Sequence, residues 1–292
     1  MVRAGHTLTL MPDKDPTKSY IEANRALWNE WTSINAASDF YQVDSFIQGG
    51  TELGRGVRLR PYEIHDVGPV EGKSLLHLQC HFGMDTLSWA RLGAIVTGAD
   101  FSPEGIAKAR WLASEVGLEA TFVLSDLFDL PSNLQGDFDV VYTSRGVLGW
   151  LPSLARWGQV VAHFLKPGGI FYISEIHPVA HVFDDEDDAT EPRLRFPYYG
   201  RGTPIEFPVQ GSYADTTAQV TQEFEYYWSH SMAEIVTSLC DAGLRIEFLH
   251  EFPFVEWPLP FLREQDDGTW RFPTDQSWEL PLWFAIKATK PG

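Results

Sequence analysis

The sequence predicts an α/β fold: a seven-stranded, mostly parallel sheet with helices on both faces, an N-terminal helical cap and an insertion after strand five. Three observations carry this reading. From about Lys73 onward, short β-branched or apolar runs alternate with longer amphipathic ones, the rhythm of strands joined by crossover helices. The punctuation between them is that of helix ends, with Ser102 as N-cap, Pro103 at the first helical position, and Gly93 and Gly117 as stops. Composition agrees, since 292 residues with 44% hydrophobic and 21% charged side chains can bury a large core.

Each element has its own local signal. "SLLHLQC" (74 to 80) is the first strand and "DTLSWARLGA" the helix after it. "AIVTGADFS" (94 to 102) is the second strand, and "SPEGIAKARWLASEVGL" (102 to 118) completes a β-α-β unit. "ATFVLSD" (120 to 126), "DFDVVYTS" (137 to 144) and "GIFYISEIHP" (169 to 178) continue as strands three to five, with a helix near 153 to 165 that ends at "KPGG". Past Pro178 the rhythm breaks, and residues 177–230 are expected to form an insertion or lid, because long connections are usually functional or mobile. "SMAEIVTSLCDAGLRIEFLHEFPF" then reads as helix, glycine stop and strand, and "PLWFAIKATK" as the last strand. Residues 1–72 form the cap, where "SYIEANRALWNEWTSINAASDFY" sets Ile21, Leu27, Trp28 and Trp31 on one side of a helix. The expectation is one domain over 1–292, its core formed by 73–176 and 231–290.

Charge and cysteine usage exclude several functions. Twenty-two basic against forty acidic side chains give a formal charge of -18, which opposes the counterion release that drives nucleic-acid binding. Nucleic acid is therefore not an expected partner. Two cysteines, Cys80 and Cys240, are too few for a disulfide framework or a four-thiolate zinc site. The N-terminus shows no basic region followed by an apolar run, and no apolar stretch approaches the roughly 20 residues of a membrane span, so a cytoplasmic location without membrane partners is expected. The oligomeric state is left open.

In an open parallel sheet the ligand crevice lies beyond the carboxyl ends of the strands, where strand order reverses. The residues just after strands one to four line it. Four stretches fall there in order: "LLHLQCHFGMDT", "VTGADFS", "FVLSDLFDLP" and "DFDVVYTSRGVLGWLPSL"; a fifth, "LKPGGIFYISE", leads into strand five. With these landmarks at this spacing, the chain resembles class I S-adenosylmethionine-dependent methyltransferases, in particular the small-molecule group related to ubiquinone and menaquinone biosynthesis. The resemblance covers roughly residues 72 to 176 and implies a Rossmann-like fold with S-adenosyl-L-methionine as cofactor and S-adenosyl-L-homocysteine as product.

The resemblance also implies a site map. Asp100, 17 positions beyond Gly83, ends strand two, where a carboxylate accepts from both ribose hydroxyls; a turn or capping aspartate is the alternative. Asp126 ends strand three and takes the adenine amino group, with the Leu127 amide facing a ring nitrogen and Phe101 either on the adenine face or in the core. Ser144, Arg145 and Gly146 border the methionine half, where Arg145 either pairs with a ligand carboxylate or forms an ordinary salt bridge. The first turn departs from the family pattern: His77 stands at the acidic position, and Gln79, His81 and Gly83 stand at the three glycine positions. A cofactor without phosphate places a milder demand on that turn, and Asp85 in the next helix can approach its ammonium.

Methyl transfer from a sulfonium is an in-line displacement in which alignment and exclusion of water are the main tasks. Glu175 and His177 in "SEIHP" are the candidates for a general base, with a backbone-bonded histidine as the plain alternative for His177. His177 and His181 are four apart but lack a third ligand, and "DDEDD" lacks the spacing of a calcium loop, so no metal is expected. Trp28, Phe40 and Tyr41 of the cap, Trp150 after strand four, and Phe196, Tyr198, Tyr199, Tyr213, Trp228 and His230 of the insertion offer aromatic walls for a small-molecule substrate, or interdomain core. Other readings keep the fold and change the role: a cofactor-binding scaffold without catalysis, or an aminopropyltransferase. A nicotinamide enzyme would need the G-x-G-x-x-G that is missing here.

Overall fold

The computed structural model describes residues 16–50, 57–186, 188–275 and 278–292. The expectation about a targeting segment at the N-terminus lies outside these residues. In chain order the helices are α1 (Pro16–Ala37), α2 (Val43–Ile47), α3 (Pro61–Val67), α4 (Met84–Arg91), α5 (Pro103–Glu115), α6 (Leu130–Asn133), α7 (Leu154–Phe164) and α8 (Met232–Asp241). The strands are β1 (Ser74–Leu78), β2 (Ile95–Asp100), β3 (Thr121–Leu124), β4 (Phe138–Ser144), β5 (Leu165–Ile176), β6 (Ile205–Pro208), β7 (Phe224–Tyr227), β8 (Arg245–Phe252), β9 (Arg263–Glu264), β10 (Trp270–Arg271) and β11 (Trp283–Thr289).

Seven of these strands make one sheet in the order β3-β2-β1-β4-β5-β11-β8. β1 pairs in parallel with both β2 and β4, so strand order reverses between β1 and β4 and opens a crevice at their carboxyl ends. Only β11 runs antiparallel, between β5 and β8. The central strands are buried on both faces, with β1 and β4 almost wholly so, which is why they read as continuous apolar runs. Trp157, Phe164 and Leu239 of α7 and α8 fill one face, and Trp89 of α4 packs with Leu59 and Val70 on the other. Ser102 caps α5 by accepting from the Gly105 amide at 2.9 Å, and Ser153 and Ser231 do the same for α7 and α8.

Two details differ from the sequence reading. The "KPGG" stretch does not stop at a turn: it lies within β5, where Gly168 adopts φ 77 and its amide donates to Lys290 O at 2.8 Å. The register to β4 shifts there, as expected of a bulge. Residues 255–280, which sequence periodicity passed over, belong to the connection between β8 and β11, whose described residues lie outside the sheet and carry the β9–β10 ribbon. Their Val255, Phe261 and Phe272 pack with Val182 and Phe183 from the segment after β5 into a separate apolar cluster.

The β6–β7 hairpin is tied to α1 rather than to the sheet. Asn24 donates to Tyr226 O at 2.8 Å and accepts from the Tyr226 amide at 2.9 Å, and the Trp31 indole donates to Gly211 O at 2.8 Å. Buried Asn35 bonds Ser212 and the Tyr213 hydroxyl. Cap and hairpin together roof the crevice.

Candidate active site

A cavity of about 640 Å³ lies under that roof, against the carboxyl ends of β1 to β4. Its floor begins at the turn after β1. Gln79 and His81 adopt φ 56 and 52, and Gly83 φ 81. The turn thus keeps the left-handed backbone of a glycine-rich loop with two side chains in it, at a cost of order 1 kcal/mol each. Gly83 is the position that admits no side chain, since a Cβ there would sit 2.8 Å from the Phe122 ring. Both added side chains face the cavity with a buried atom that has no hydrogen-bond partner among the described residues, Gln79 Oε1 and His81 Nε2. Gln79 Nε2 donates to Val147 O at 3.1 Å, tying the turn to the loop after β4.

Asp100 closes β2 with both carboxylate oxygens on backbone amides, Oδ2 from His81 at 2.8 Å and Oδ1 from Ser102 at 2.9 Å. Burial, only partly offset by these amides, pushes its pKa up to about 6. Among the described residues no cation balances it, so a ligand that donates hydrogen bonds would be welcome. Asp126, beyond β3, accepts from the Phe128 amide at 2.8 Å, and its pKa too is raised chiefly by burial.

His77 stands at the end of β1 as a neutral imidazole, its pKa pushed down to about 4 by burial. It lies 2.8 Å from Thr86 Oγ1 and 3.1 Å from Ser144 Oγ, and Ser144 in turn donates to Asp85 at 3.1 Å. Asp85 therefore supplies the carboxylate that position 77 lacks. Burial would raise its pKa, but Arg145, His77 and Arg58 together hold it below the usual carboxylate range.

Arg145 sits at φ 29 on the same wall, facing three carboxylates. Its Nη2 donates to wholly buried Glu63, its Nη1 lies 3.9 Å from Asp85, and its Nε lies 3.9 Å from Glu256. Glu63 also accepts from Tyr142 and from the Arg60 amide, each at 2.7 Å. Arg145 is thus mostly engaged as the cation of a buried network. Glu63 and Glu256 carried no sequence signal, because Glu63 lies in α3 ahead of the sheet and Glu256 in the irregular segment after β8, away from the loops that follow β1 to β4.

All ten residues that the resemblance assigns to the cofactor line this one cavity: Gln79, His81, Gly83, Asp85, Asp100, Phe101, Asp126, Leu127, Ser144 and Arg145. Of the expected substrate wall, Trp28, Tyr41 and Trp150 line it and Tyr198, Tyr199 and Trp228 do not. Tyr199 is 71% exposed, Trp228 is buried beside Tyr20, and the Tyr198 hydroxyl accepts from the Met232 amide at 3.1 Å. Tyr227, next to Trp228, faces the cavity instead, packed so closely on Gly149 that a Cβ there would overlap its ring.

Neither expected general base reaches the cavity. The Glu175 carboxylate is buried against four backbone amides, Gly146, Val147, Leu148 and Ile176, at 2.5 to 3.2 Å. It anchors the loop that carries Arg145 and Trp150. His177 is buried with Nε2 2.9 Å from Glu251 and Nδ1 accepting from the Val179 amide at 3.1 Å. His181, four residues on, does line the cavity, with Nε2 2.7 Å from the Tyr227 hydroxyl, and burial pushes its pKa down to about 4. The two histidines have separate partners, and no group of three His, Cys, Asp or Glu suited to a metal occurs among the described residues.

The strand order, the crevice at its reversal and the turn after β1 are accompanied by a sequence match: residues 75–169 fit the methyltransferase domain family. Over those residues the chain is similar to methyltransferase domains. Ubiquinone biosynthesis O-methyltransferase of Shewanella pealeana is 34% identical over 110 residues, 38% of this chain and 46% of that protein. An uncharacterized methyltransferase of Synechocystis is 32% identical over 126 residues, 43% of this chain and 57% of that protein. The chain spans about half the length of the curated relatives it matches. Among solved structures, a methyltransferase of Listeria monocytogenes superposes with TM-score 0.54 at 22% identity over 79% of this chain and 96% of that one. The DhpI complex with S-adenosylhomocysteine gives 0.54 at 18% identity over 94% and 98%; at such identities these likenesses speak for the fold.

Proposed function

We propose that this chain binds S-adenosylmethionine in the cavity and transfers its methyl group to a small molecule. The observation that carries the reading is the buried carboxylate of Asp100, without a balancing cation among the described residues, beside a left-handed turn whose Gln79 Oε1 and His81 Nε2 have no hydrogen-bond partner among them either. A nucleoside with ribose hydroxyls and an amino-acid tail fits that donor and acceptor set. When bound, the cofactor supplies a methyl group on a cationic sulfur, ready for displacement.

The chain's residues do the rest. Asp100 holds the ribose hydroxyls, Asp126 and the Leu127 amide hold the adenine, and the wall of Gln79, His81, Asp85 and Ser144 holds the amino-acid end. The Trp28, Trp31 and Trp150 rings, stacked edge to face at centroid distances of 5.2 to 6.1 Å, exclude water above it. Where the accepting atom carries a proton, the neutral His181 imidazole takes it by way of Tyr227. A radiolabelled methyl donor incubated with the protein and a metabolite extract tests this. Label is expected in a small-molecule product with wild type and at least about tenfold less with Asp100→Ala, by the loss of hydrogen bonds to a charged acceptor; absence of label from all fractions contradicts it.

A further inference from the structure

The outer half of the cavity, away from the turn after β1, has a polarity that methyl transfer alone does not require. The β6–β7 hairpin pairs Ile205 with Tyr227 and Phe207 with Glu225. Those four side chains share one face of the hairpin, and all four line the cavity. Glu206 and Tyr226 take the other face, toward α1. One carboxylate is thus set into an otherwise apolar and aromatic wall.

The Glu225 carboxylate has no hydrogen-bond or ion-pair partner among the described residues. Burial, and the like charge of Asp185, which also lines the cavity, push its pKa up to about 7. The cations of the cavity lie elsewhere: Arg145 is engaged by Glu63, and Arg58 donates to Tyr41 O at 2.7 Å beside Met84. Against these two guanidiniums the lining holds six carboxylates, of Asp85, Asp100, Asp126, Asp185, Glu225 and Glu256. Such a wall repels anions and concentrates cations, and aromatic faces add to the attraction.

We propose that the outer half of the cavity receives an apolar molecule carrying a protonated amine, its ammonium held by Glu225 between the rings of Phe207 and Tyr227. This rests on the methyl-transfer reading of the same cleft and names its substrate class. The ammonium supplies the cation that the wall lacks, and the rings of Trp150, Phe196 and Phe183 receive the apolar part. A divalent metal is a poor occupant, because it would need more oxygen ligands than Glu225 and Asp185 bring.

The test is calorimetric titration at about pH 8, where carboxylate and amine are both charged. Wild type and Glu225→Gln are first titrated with S-adenosylhomocysteine, and then, with and without it, with 2-phenylethylammonium, 2-phenylethanol and 3-phenylpropionate. Wild type is expected to bind the ammonium at least about tenfold tighter than the alcohol, the worth of one charge-assisted hydrogen bond, and the carboxylate weakest. Glu225→Gln is expected to shrink that preference below about threefold with the alcohol unchanged, and Asp185→Asn, at an exposed side chain, to shrink it partly. Equal binding of ammonium and alcohol by wild type, no binding of the ammonium, or an undiminished preference in Glu225→Gln overturns the proposal. Thermal melting identifies a Glu225→Gln chain that fails to fold, in which case Asp185→Asn decides. If S-adenosylhomocysteine binds and the ammonium preference is absent, only this inference falls. If S-adenosylhomocysteine does not bind, the methyl-transfer reading falls while the cofactor-free titration still reads the pocket.

Discussion

Glu175 shows how a residue can be found by position and misread by direction. The sequence puts it at the end of the fifth strand, hence at the crevice, but which face of a strand turns toward the ligand depends on the neighbouring loop. In this fold its carboxylate turns to the amides of Gly146 to Leu148 and fixes the segment that bears Arg145 and Trp150. Glu175→Gln should therefore lower the unfolding free energy by about 2 kcal/mol or more, as charge-assisted bonds are lost to buried donors. Its activity, where measurable, should keep the wild-type pH profile. Chemical denaturation and a pH–rate series check this: near-wild-type stability with one limb of the profile missing would instead mark Glu175 as a general base. Asp100, Asp126 and Ser144 were legible for the opposite reason, since the ends of parallel strands at a topological reversal face the crevice whatever the side chain.

Among the elements, the turn after β1 is the least ordinary. Its departures from glycine were visible in the sequence, but whether the backbone followed them was not. The backbone did not follow: Gln79 and His81 hold left-handed conformations. The strain has a simple consequence. Glycine at position 79 should be more stable than alanine there by about 1 kcal/mol, because alanine bears the left-handed penalty without the side-chain bond to Val147, and glycine bears neither. Paired urea denaturation of Gln79→Gly and Gln79→Ala measures it, and an alanine variant as stable as the glycine one would remove the strain from the account. The β6–β7 hairpin was harder to read, since "FEYYW" has an aromatic or acidic side chain at nearly every position. Period-two alternation then cannot say which set faces in. The register with β6 decides it, putting Glu225 and Tyr227 inward and leaving Trp228 outside the cavity.

At the scale of the molecule, alternation of strand and helix together with capping residues made the sheet readable, while the two excursions from it were readable only in part. Residues 255–280 have no periodicity, and their apolar residues are explained only by the segment after β5 on which they pack. Buried neutral histidines give the whole chain a pH signature. His77, His81 and His181 have pKa values pushed down by burial to about 4, 3 and 4, against about 6.5 when unfolded. Between those values the unfolded chain binds more protons at these rings than the folded one, so their contribution to stability is present above about pH 6.5 and is lost as pH falls toward 4. Asp100 and Glu225, with pKa values raised to about 6 and about 7, and Glu63, Asp126, Glu175 and Asp185, raised chiefly by burial, work the other way, favouring the folded state as pH falls. From pH 7 down to 4 the unfolding free energy of wild type should drop relative to that of His77→Gln, by the histidine contribution the variant lacks; parallel profiles of the two proteins would contradict neutral burial of His77.

The central claim is that Asp100 and the turn beside it hold an S-adenosyl nucleoside. Calorimetric titration of S-adenosylhomocysteine into wild type, Asp100→Ala and Asp188→Ala tests it, the Asp188 side chain being 82% exposed and not part of the cavity lining. Wild type and Asp188→Ala should bind alike, and Asp100→Ala at least about tenfold more weakly, in keeping with the lost hydrogen bonds to a charged acceptor. Equal affinities in all three proteins, or none in wild type, would contradict it.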